Sequence, residues 1–429
     1  MRKGILSYFL FFVPKIRKKG WIEMNRRKKY KIFILCWLAL DLMTMAWLGY
    51  RYLDRQIPDE LQISRGETVS VSALLDHPLV SFEEAIEVSA DGSYTLPCKI
   101  LGYIPFKSIK VTPVDDKAVY VSGSTVGIYL RTRGVLVVDT GEIQSQSGET
   151  KEPSKGIVKP GDYILSMNEE QIKDKKELIR DLDELDGTQV QLELNREGEI
   201  LPVSVTPVKD SEGAYKLGLW VRDDTQGIGT LTYVDEQGKY GALGHGISDV
   251  DTAGLLDIQE GTLYQAQILA VSRGSRGNPG ELAGMIRYDN SNVLGSIQEN
   301  CKNGIYGQMD LSDAQKLSLV KMPVAHKQEI ETGPALIRCS VDGHVKEYEA
   351  QIKRIDLNHE DSNKSFILQV TDEELLEKTG GVVQGMSGSP VIQNGKLAGA
   401  VTHVFVQDST SGYGIFAETM MEHENYKMT

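Results

Sequence analysis

Residues 32–52 read IFILCWLALDLMTMAWLGYRY, an apolar run broken before its basic end by a single acid, Asp41. A helix needs about 20 mostly apolar residues to cross a bilayer. The pattern therefore predicts a transmembrane anchor over 32–52, with Trp37, Trp47, Tyr50 and Tyr52 suited to the interfaces. Asp41 near the middle would cost about 2.5–3.5 kcal/mol on insertion scales, which the neighbouring Leu, Ile, Phe and Trp side chains offset. No small-residue cleavage site follows, so a retained anchor is expected rather than a removed signal peptide. Beyond Tyr52 the periodicity changes to short apolar runs that alternate with polar positions and end in glycine-rich turns, which is the signature of strands. Two segments have helical spacing instead. They are residues 174–183, with Leu178, Ile179 and Leu182 on one stripe, and a stretch near residues 372–378. The expected fold is mainly β, with an N-terminal transmembrane helix, a small α+β unit and a C-terminal β-barrel domain.

The chain divides into a basic tip (1–31), the anchor (32–52), a stalk with short strands (53–105), an α+β unit (106–210) and a β-rich body (211–429). In the α+β unit a strand GVLVVD at 134–139 precedes a polar insertion at 142–155, expected as a flexible loop. A Pro160-Gly161-Asp162 turn then leads into an alternating strand, the helical stretch, and two period-two strands around the turn at Glu197 and Gly198. This order, with GDYILSMNEEQI at its centre, resembles a PDZ domain. Such domains bind an extended peptide or a C-terminus by adding it to a sheet edge. The resemblance implies a peptide-binding segment at Val126, Gly127 and Ile128. Residues 211–429 show regularly spaced strands with glycine turns, which suggests a barrel or sandwich.

Charge sharpens this picture. Residues 1–31 hold eleven Lys and Arg against Glu23, or +10 (11 minus 1), so a chain of net charge −13 leaves −23 (−13 minus 10) on the remainder. A basic flank predicts a cytoplasmic N-terminus and an exported body, with either Met1 or Met24 as the start. An acidic body argues against nucleic acid as a partner. Cys36, Cys98, Cys301 and Cys339 lack metal-ligand spacing, so neither a zinc site nor a disulfide framework is expected. The glycine-rich segment 272–281 lacks the GK[ST] ending of a phosphate-binding loop and reads as a hairpin connection. No cofactor is expected.

The chemistry concentrates in GMSGSP, residues 385–390, followed by an apolar hairpin. A serine in a tight Gly-x-Ser-Gly turn presents a nucleophile beside backbone N–H donors, as acyl transfer requires. The segment resembles the nucleophile turn of chymotrypsin-like serine peptidases. A base must take the serine proton. His245, between Gly244 and Gly246 in GALGHGISD, is accessible for that role, with His403 as a backup. His77, His326, His344, His359 and His423 sit among polar residues and read as surface positions. A third group must orient the imidazole. Asp372, 15 residues before Ser387, is one candidate, although an apolar helical turn follows it, a helix N-cap explains it nearly as well, and Glu373 and Glu374 lie close enough to compete. Asp249 is the local alternative.

The segments LGYIPFKSIKV, STVGIYLRTRGVLVV, GDYILSMN, GALGHGISD and QGMSGSPVIQNGKLAGAVTHV together resemble the SpoIVB peptidase family of endospore-forming bacteria. The resemblance implies a serine endopeptidase with His245 as general base, Asp372 as orienting acid and Ser387 as nucleophile. The N–H groups of Gly385 and Ser387 would bind the oxyanion. Met386 stands where chymotrypsin-like turns carry an acid, so activation by a newly freed N-terminus is not expected. The resemblance also implies self-cleavage, for which the stalk between Asp54 and Gly102 is the expected region. It implies secretion from the forespore, action on a regulatory subunit of a membrane-embedded protease complex, and activation of a sigma factor. Two other readings compete. One is a non-enzymatic PDZ adaptor that recruits another protease. The other is a quality-control protease, which would place the PDZ unit after the peptidase rather than before it.

Overall fold

A computed structural model describes residues 26–64, 78–82, 93–314, 316–359 and 362–426. The basic tip before Arg26, both candidate start methionines and His77 lie outside them. The chain forms two compact units, residues 1–56 and 57–429. In the first, Arg26–Gln56 is a single helix with a mean hydropathy of 1.9 over its most apolar window, long and apolar enough to cross a membrane.

The second unit begins with four strands, β1 (Glu60–Ser64), β2 (Val80–Phe82), β3 (Tyr94–Ile100) and β4 (Ile104–Val114), ordered β1-β4-β3-β2 with β1 parallel to β4. The expected stalk is thus a sheet with a core of Leu61, Leu96, Ile109 and Val111. A short β5 (Ala118–Val121) leads to β6 (Thr125–Thr140), a strand of 16 residues with two jobs. Its first half belongs to a barrel. Its second half enters the PDZ-like unit and pairs there with β9 (Tyr163–Met167). Two short hairpin strands, β7 (Ile143–Gln144) and β8 (Thr150–Lys151), precede β9, and β10 (Glu170–Gln171) follows it. Helix Lys175–Asp183 comes next. It starts where the Asp174 carboxylate accepts from Glu177 N at 2.9 Å, and it buries Leu178 and Leu182 against the sheet. Ile179, expected on the same stripe, is exposed. Strands β11 (Val190–Arg196) and β12 (Glu199–Val205) complete the sheet, and Asp162 of the Pro-Gly-Asp turn is clamped by both Arg196 Nε and Nη2 at 2.7 Å. The insertion at 142–155 is not a loose loop. It folds as the β7–β8 hairpin, and the buried Ser154 Oγ donates to Leu217 O at 2.6 Å.

After the two-residue strands β13 (Val208–Lys209) and β14 (Tyr215–Lys216) comes β15 (Leu219–Val234), as long as β6 and paired with it along nearly its whole length. With β16 (Lys239–Ala242), β17 (Ile258–Ser272), β19 (Val293–Cys301) and β20 (Gly304–Met309), these strands form a ring, β6-β15-β16-β20-β19-β17 and back to β6. Strand β18 (Glu281–Ile286) folds back on β17 across the 273–280 turn, the hairpin expected from the sequence. Strand β21 (Val320–Pro323) pairs with β5. A second closed barrel follows: β22 (Gly333–Ser340), β23 (Val345–Ile355), β24 (Phe366–Val370), β27 (Asp408–Phe416), β26 (Lys396–Phe405) and β25 (Pro390–Gln393). Counted in chain order within each barrel, both rings run first-second-third-sixth-fifth-fourth. The first barrel therefore does not begin at 211, because β6 is already one of its strands. The PDZ-like unit is inserted between the first and second strands of the first barrel.

This placement corrects the expected peptide site. Val126, Gly127 and Ile128 lie in the barrel half of β6, paired with Gly229, Ile228 and Gly227 of β15 on one side and with Gln265, Tyr264 and Leu263 of β17 on the other. Both backbone edges are used, so no strand can be added there. A Cβ on Gly127 would also meet Ile286 at 2.6 Å.

His326 is a further correction, since it is mostly buried rather than a surface residue. Its Nδ1 lies 3.4 Å from the buried Glu418 of the C-terminal helix Ala417–Tyr426, and its Nε2 lies 3.9 Å from Asp116. Burial opposes the imidazolium, but Glu418, Glu329 and Asp116 outweigh it and raise the pKa above 6.5. The contribution to stability is then complete below pH 6.5 and disappears as pH rises through the elevated value. Thermal unfolding across pH 5–9 should show this loss in the wild type, and His326→Gln should remove that part of the slope.

Candidate active site

His245 and Ser387 occupy equivalent places in the two barrels. Each sits in the connection between the third and fourth strands: β16 to β17 for the histidine, β24 to β25 for the serine. The seam between the barrels brings these connections together. One cleft of about 590 Å³ is lined by His245, Ser387, Gly385, Thr402 and His403 along with aliphatic side chains.

The nucleophile turn is shaped by glycine and by neighbours from the other barrel. Gly388 has φ +92°, and a Cβ there would lie 2.1 Å from Thr230 O and 2.5 Å from Leu243 N, so only glycine permits this approach. Met386 is fully buried in the second barrel's core, which gives a packing reason for an apolar side chain before the serine. The carbonyls around the serine are held by two buried threonines of β15. Thr230 Oγ1 donates to Gly385 O at 2.9 Å, Thr230 N to Ser387 O at 2.9 Å, and Thr232 Oγ1 to Gly388 O at 2.8 Å. The two candidate oxyanion donors sit on peptide planes fixed from their carbonyl sides: Leu282 N donates to Gln384 O at 2.8 Å, and Ser389 N to Met386 O at 2.9 Å. Among the described residues, neither Gly385 N–H nor Ser387 N–H donates to a backbone carbonyl. Both therefore stay available for a developing negative charge. Sequence reasoning missed Thr230, Thr232 and Leu282, because their role depends on barrel contacts more than 100 residues away along the chain.

Ser387 Oγ donates to Thr402 O at 2.7 Å, and His245 Nδ1 bonds Gly246 O at 2.8 Å. With its proton on Nδ1, the imidazole leaves Nε2 unprotonated, the form a general base needs. Burial pulls the His245 pKa below 6.5, and the Gly246 carbonyl opposes this only in part. The His403 ring lies against it with centroids 4.7 Å apart. Asp372 lies elsewhere. It is the N-cap of helix Glu373–Thr379, where Oδ1 accepts from Leu375 N at 2.9 Å and Oδ2 from Glu349 N at 3.3 Å. Asp249 is also engaged. Burial works against its charge, but the Thr252 and Asp251 N–H groups and the Arg222 guanidinium hold its carboxyl below the ordinary range.

Two barrels of one topology, with a serine and a histidine facing each other across the seam, define a serine peptidase of chymotrypsin-like architecture. Residues 213–421 match the family model described as SpoIVB peptidase S55. No curated protein matches the chain. Three solved structures are similar at low identity. The PDZ domain of an SdrC-like protein from Listeria monocytogenes is 16% identical, covering 21% of this chain and 87% of its own, with a TM-score of 0.18. The active form of the Rv3671c protease from M. tuberculosis is 18% identical over 46% of this chain and 72% of its own, with a TM-score of 0.25. The HtrA-type protease AlgW with a decapeptide is 12% identical over 71% and 64%, with a TM-score of 0.28. At these values the likenesses carry no weight beside the strand order.

Thr230→Val removes the bond to Gly385 O and leaves a buried acceptor unmet, at a cost of about 1–3 kcal/mol. Chemical denaturation should show that loss. A burst assay should show slower acylation with KM little changed, and Thr230→Ser should restore both.

Proposed function

We propose that this chain is a membrane-anchored serine endopeptidase in which Ser387 is the nucleophile and His245 the general base. The observation that carries the reading is the shared cleft at the barrel seam. Rotation of Ser387 Oγ away from Thr402 O toward His245 Nε2 would start the reaction. The hydroxyl proton passes to the imidazole as oxygen attacks the peptide carbonyl, the Gly385 and Ser387 N–H groups receive the oxyanion, and the imidazolium returns the proton to the leaving amine. A neutral carbonyl at Nδ1 fixes the tautomer but stabilises an imidazolium less than a carboxylate does. Asp249 is committed to Arg222, which leaves Asp372, placed between His245 and Ser387 in chain order, as the orienting acid. In that role its helix cap would open during activation.

The family match supports the finer reading: self-cleavage, then cleavage of a regulatory subunit of a membrane protease complex between forespore and mother cell, leading to sigma factor activation. The basic flank and the apolar helix support a cytoplasmic N-terminus with an exported body. Of the region expected to be self-cleaved, residues 65–77 and 83–92 lie outside the described residues. The adaptor reading loses its basis, because its peptide site is paired on both sides.

A fluorophosphonate probe should label Ser387 in the wild type and fail in His245→Ala. Ser387→Ala should lower turnover about a million-fold, and undiminished cleavage by that variant would reject the assignment. Asparagine caps helices as well as aspartate, so Asp372→Asn isolates the charge. A loss of about 10⁴-fold in kcat at unchanged stability marks the orienting acid, whereas wild-type turnover leaves the residue a cap alone. With Asp372 at its helix cap, titration of His245 should have its midpoint below pH 6.5, because burial opposes the imidazolium.

A further inference from the structure

The lining of the cleft that holds Ser387 and His245 has a chemistry of its own. Among the described residues that form it, none is Asp, Glu, Lys or Arg, and its only ionisable side chains are His245 and His403. A quarter of the chain's residues are charged, so an uncharged lining of this extent is a property of the site.

The base divides the cleft into two halves. His245 returns its proton to the leaving amine, so the residues beyond the cut bond lie on the histidine's side, toward the first barrel. The acyl half lies toward the barrel that carries Ser387. There the lining is valine on both sides of the nucleophile turn: Val382 and Val383 before it, Val404 and Val406 after Thr402. Val382 and Val404 both border Gly412. Val404 is its cross-strand partner, and a Cβ on Gly412 would lie 3.5 Å from Val382 Cγ2. Val382 and Val383 belong to the core of the second barrel, and Val404 packs against that core. The backbone on each side is tied down, with Val382 N donating to Ser409 O and Gly277 N to Val406 O, each at 2.7 Å. Valine is stiff about its first side-chain torsion, so these walls are formed before a ligand arrives.

We propose that this pocket receives the side chain on the acyl side of the cut bond and selects an aliphatic one, with Val382 and Val404 as the specificity-determining residues. A lysine or glutamate side chain would lose its water there without meeting a countercharge. An aliphatic side chain buries apolar surface against both walls. The proposal rests on the peptidase reading, and one set of reagents tests the two separately.

Full-length protein in detergent micelles is treated with a fluorophosphonate, and in parallel with three peptidyl diphenyl phosphonates. These three are alike except for a valine, lysine or glutamate side chain beside phosphorus. The fluorophosphonate reads the nucleophile, and the relative labelling rates of the other three read the pocket. The valine reagent should label Ser387 at least about 10-fold faster than either charged reagent. Equal rates, a faster charged reagent, or no reaction with the valine reagent in protein that takes the fluorophosphonate overturns the proposal and leaves the nucleophile assigned. No fluorophosphonate on Ser387 overturns the peptidase reading and the proposal with it. Val404→Asp places a carboxylate in the pocket and should reverse the order of the valine and lysine reagents, with circular dichroism verifying its fold. Val404→Thr, of nearly the same shape, should narrow the valine-to-lysine ratio, and it decides the case if the aspartate variant does not fold. A wild-type ratio in a folded variant overturns the role given to Val404.

Discussion

The active site depends on one contact: the close approach of β15 to the nucleophile turn. Gly388 lets the two backbones come within a distance that excludes any side chain, and Thr230 and Thr232 then secure the carbonyls on either side of Ser387. The serine's geometry is thus set by the first barrel although the serine belongs to the second. Neither barrel alone contains a site. The same contact carries Leu243 and Gly244, and hence His245, toward the cleft, because Leu243 N donates to Thr230 O at 3.3 Å.

Ser387 and His245 line one cleft, and each is bonded to a backbone carbonyl. The serine hydroxyl is bonded to a carbonyl, and the imidazole already has the tautomer of a base. The peptide planes of the two candidate oxyanion donors are fixed from their carbonyl sides. Asp372 is away from the cleft, occupied at a helix end.

Much of this was legible in the chain. The long apolar run declared its helix, and Gly385 to Ser389 declared a turn that glycine alone can make. The apolar spacing of Leu178 and Leu182 announced the second helix. Other features were hidden for a physical reason. Strands β6 and β15 each read as ordinary period-two segments, and local pattern does not say that one strand serves two sheets. That is why the PDZ-like unit looked like a bead before the peptidase and why Gly127 looked like a peptide site. His326 looked polar and exposed because its neighbours in sequence are polar, while its burial comes from Glu418, 92 positions later (418 minus 326). The polar insertion at 142–155 had the composition of a loose loop, but a buried serine hydroxyl ties it down.

The insertion of the PDZ-like unit into an otherwise uninterrupted ladder has an architectural consequence. Arg131 and Asp224 are cross-strand partners, so their Cα atoms stand about 5 Å apart. A tight connection of a few residues could join them and leave every later rung of the barrel in place. Geometrically, the first barrel resembles a complete ring carrying an outgrown hairpin.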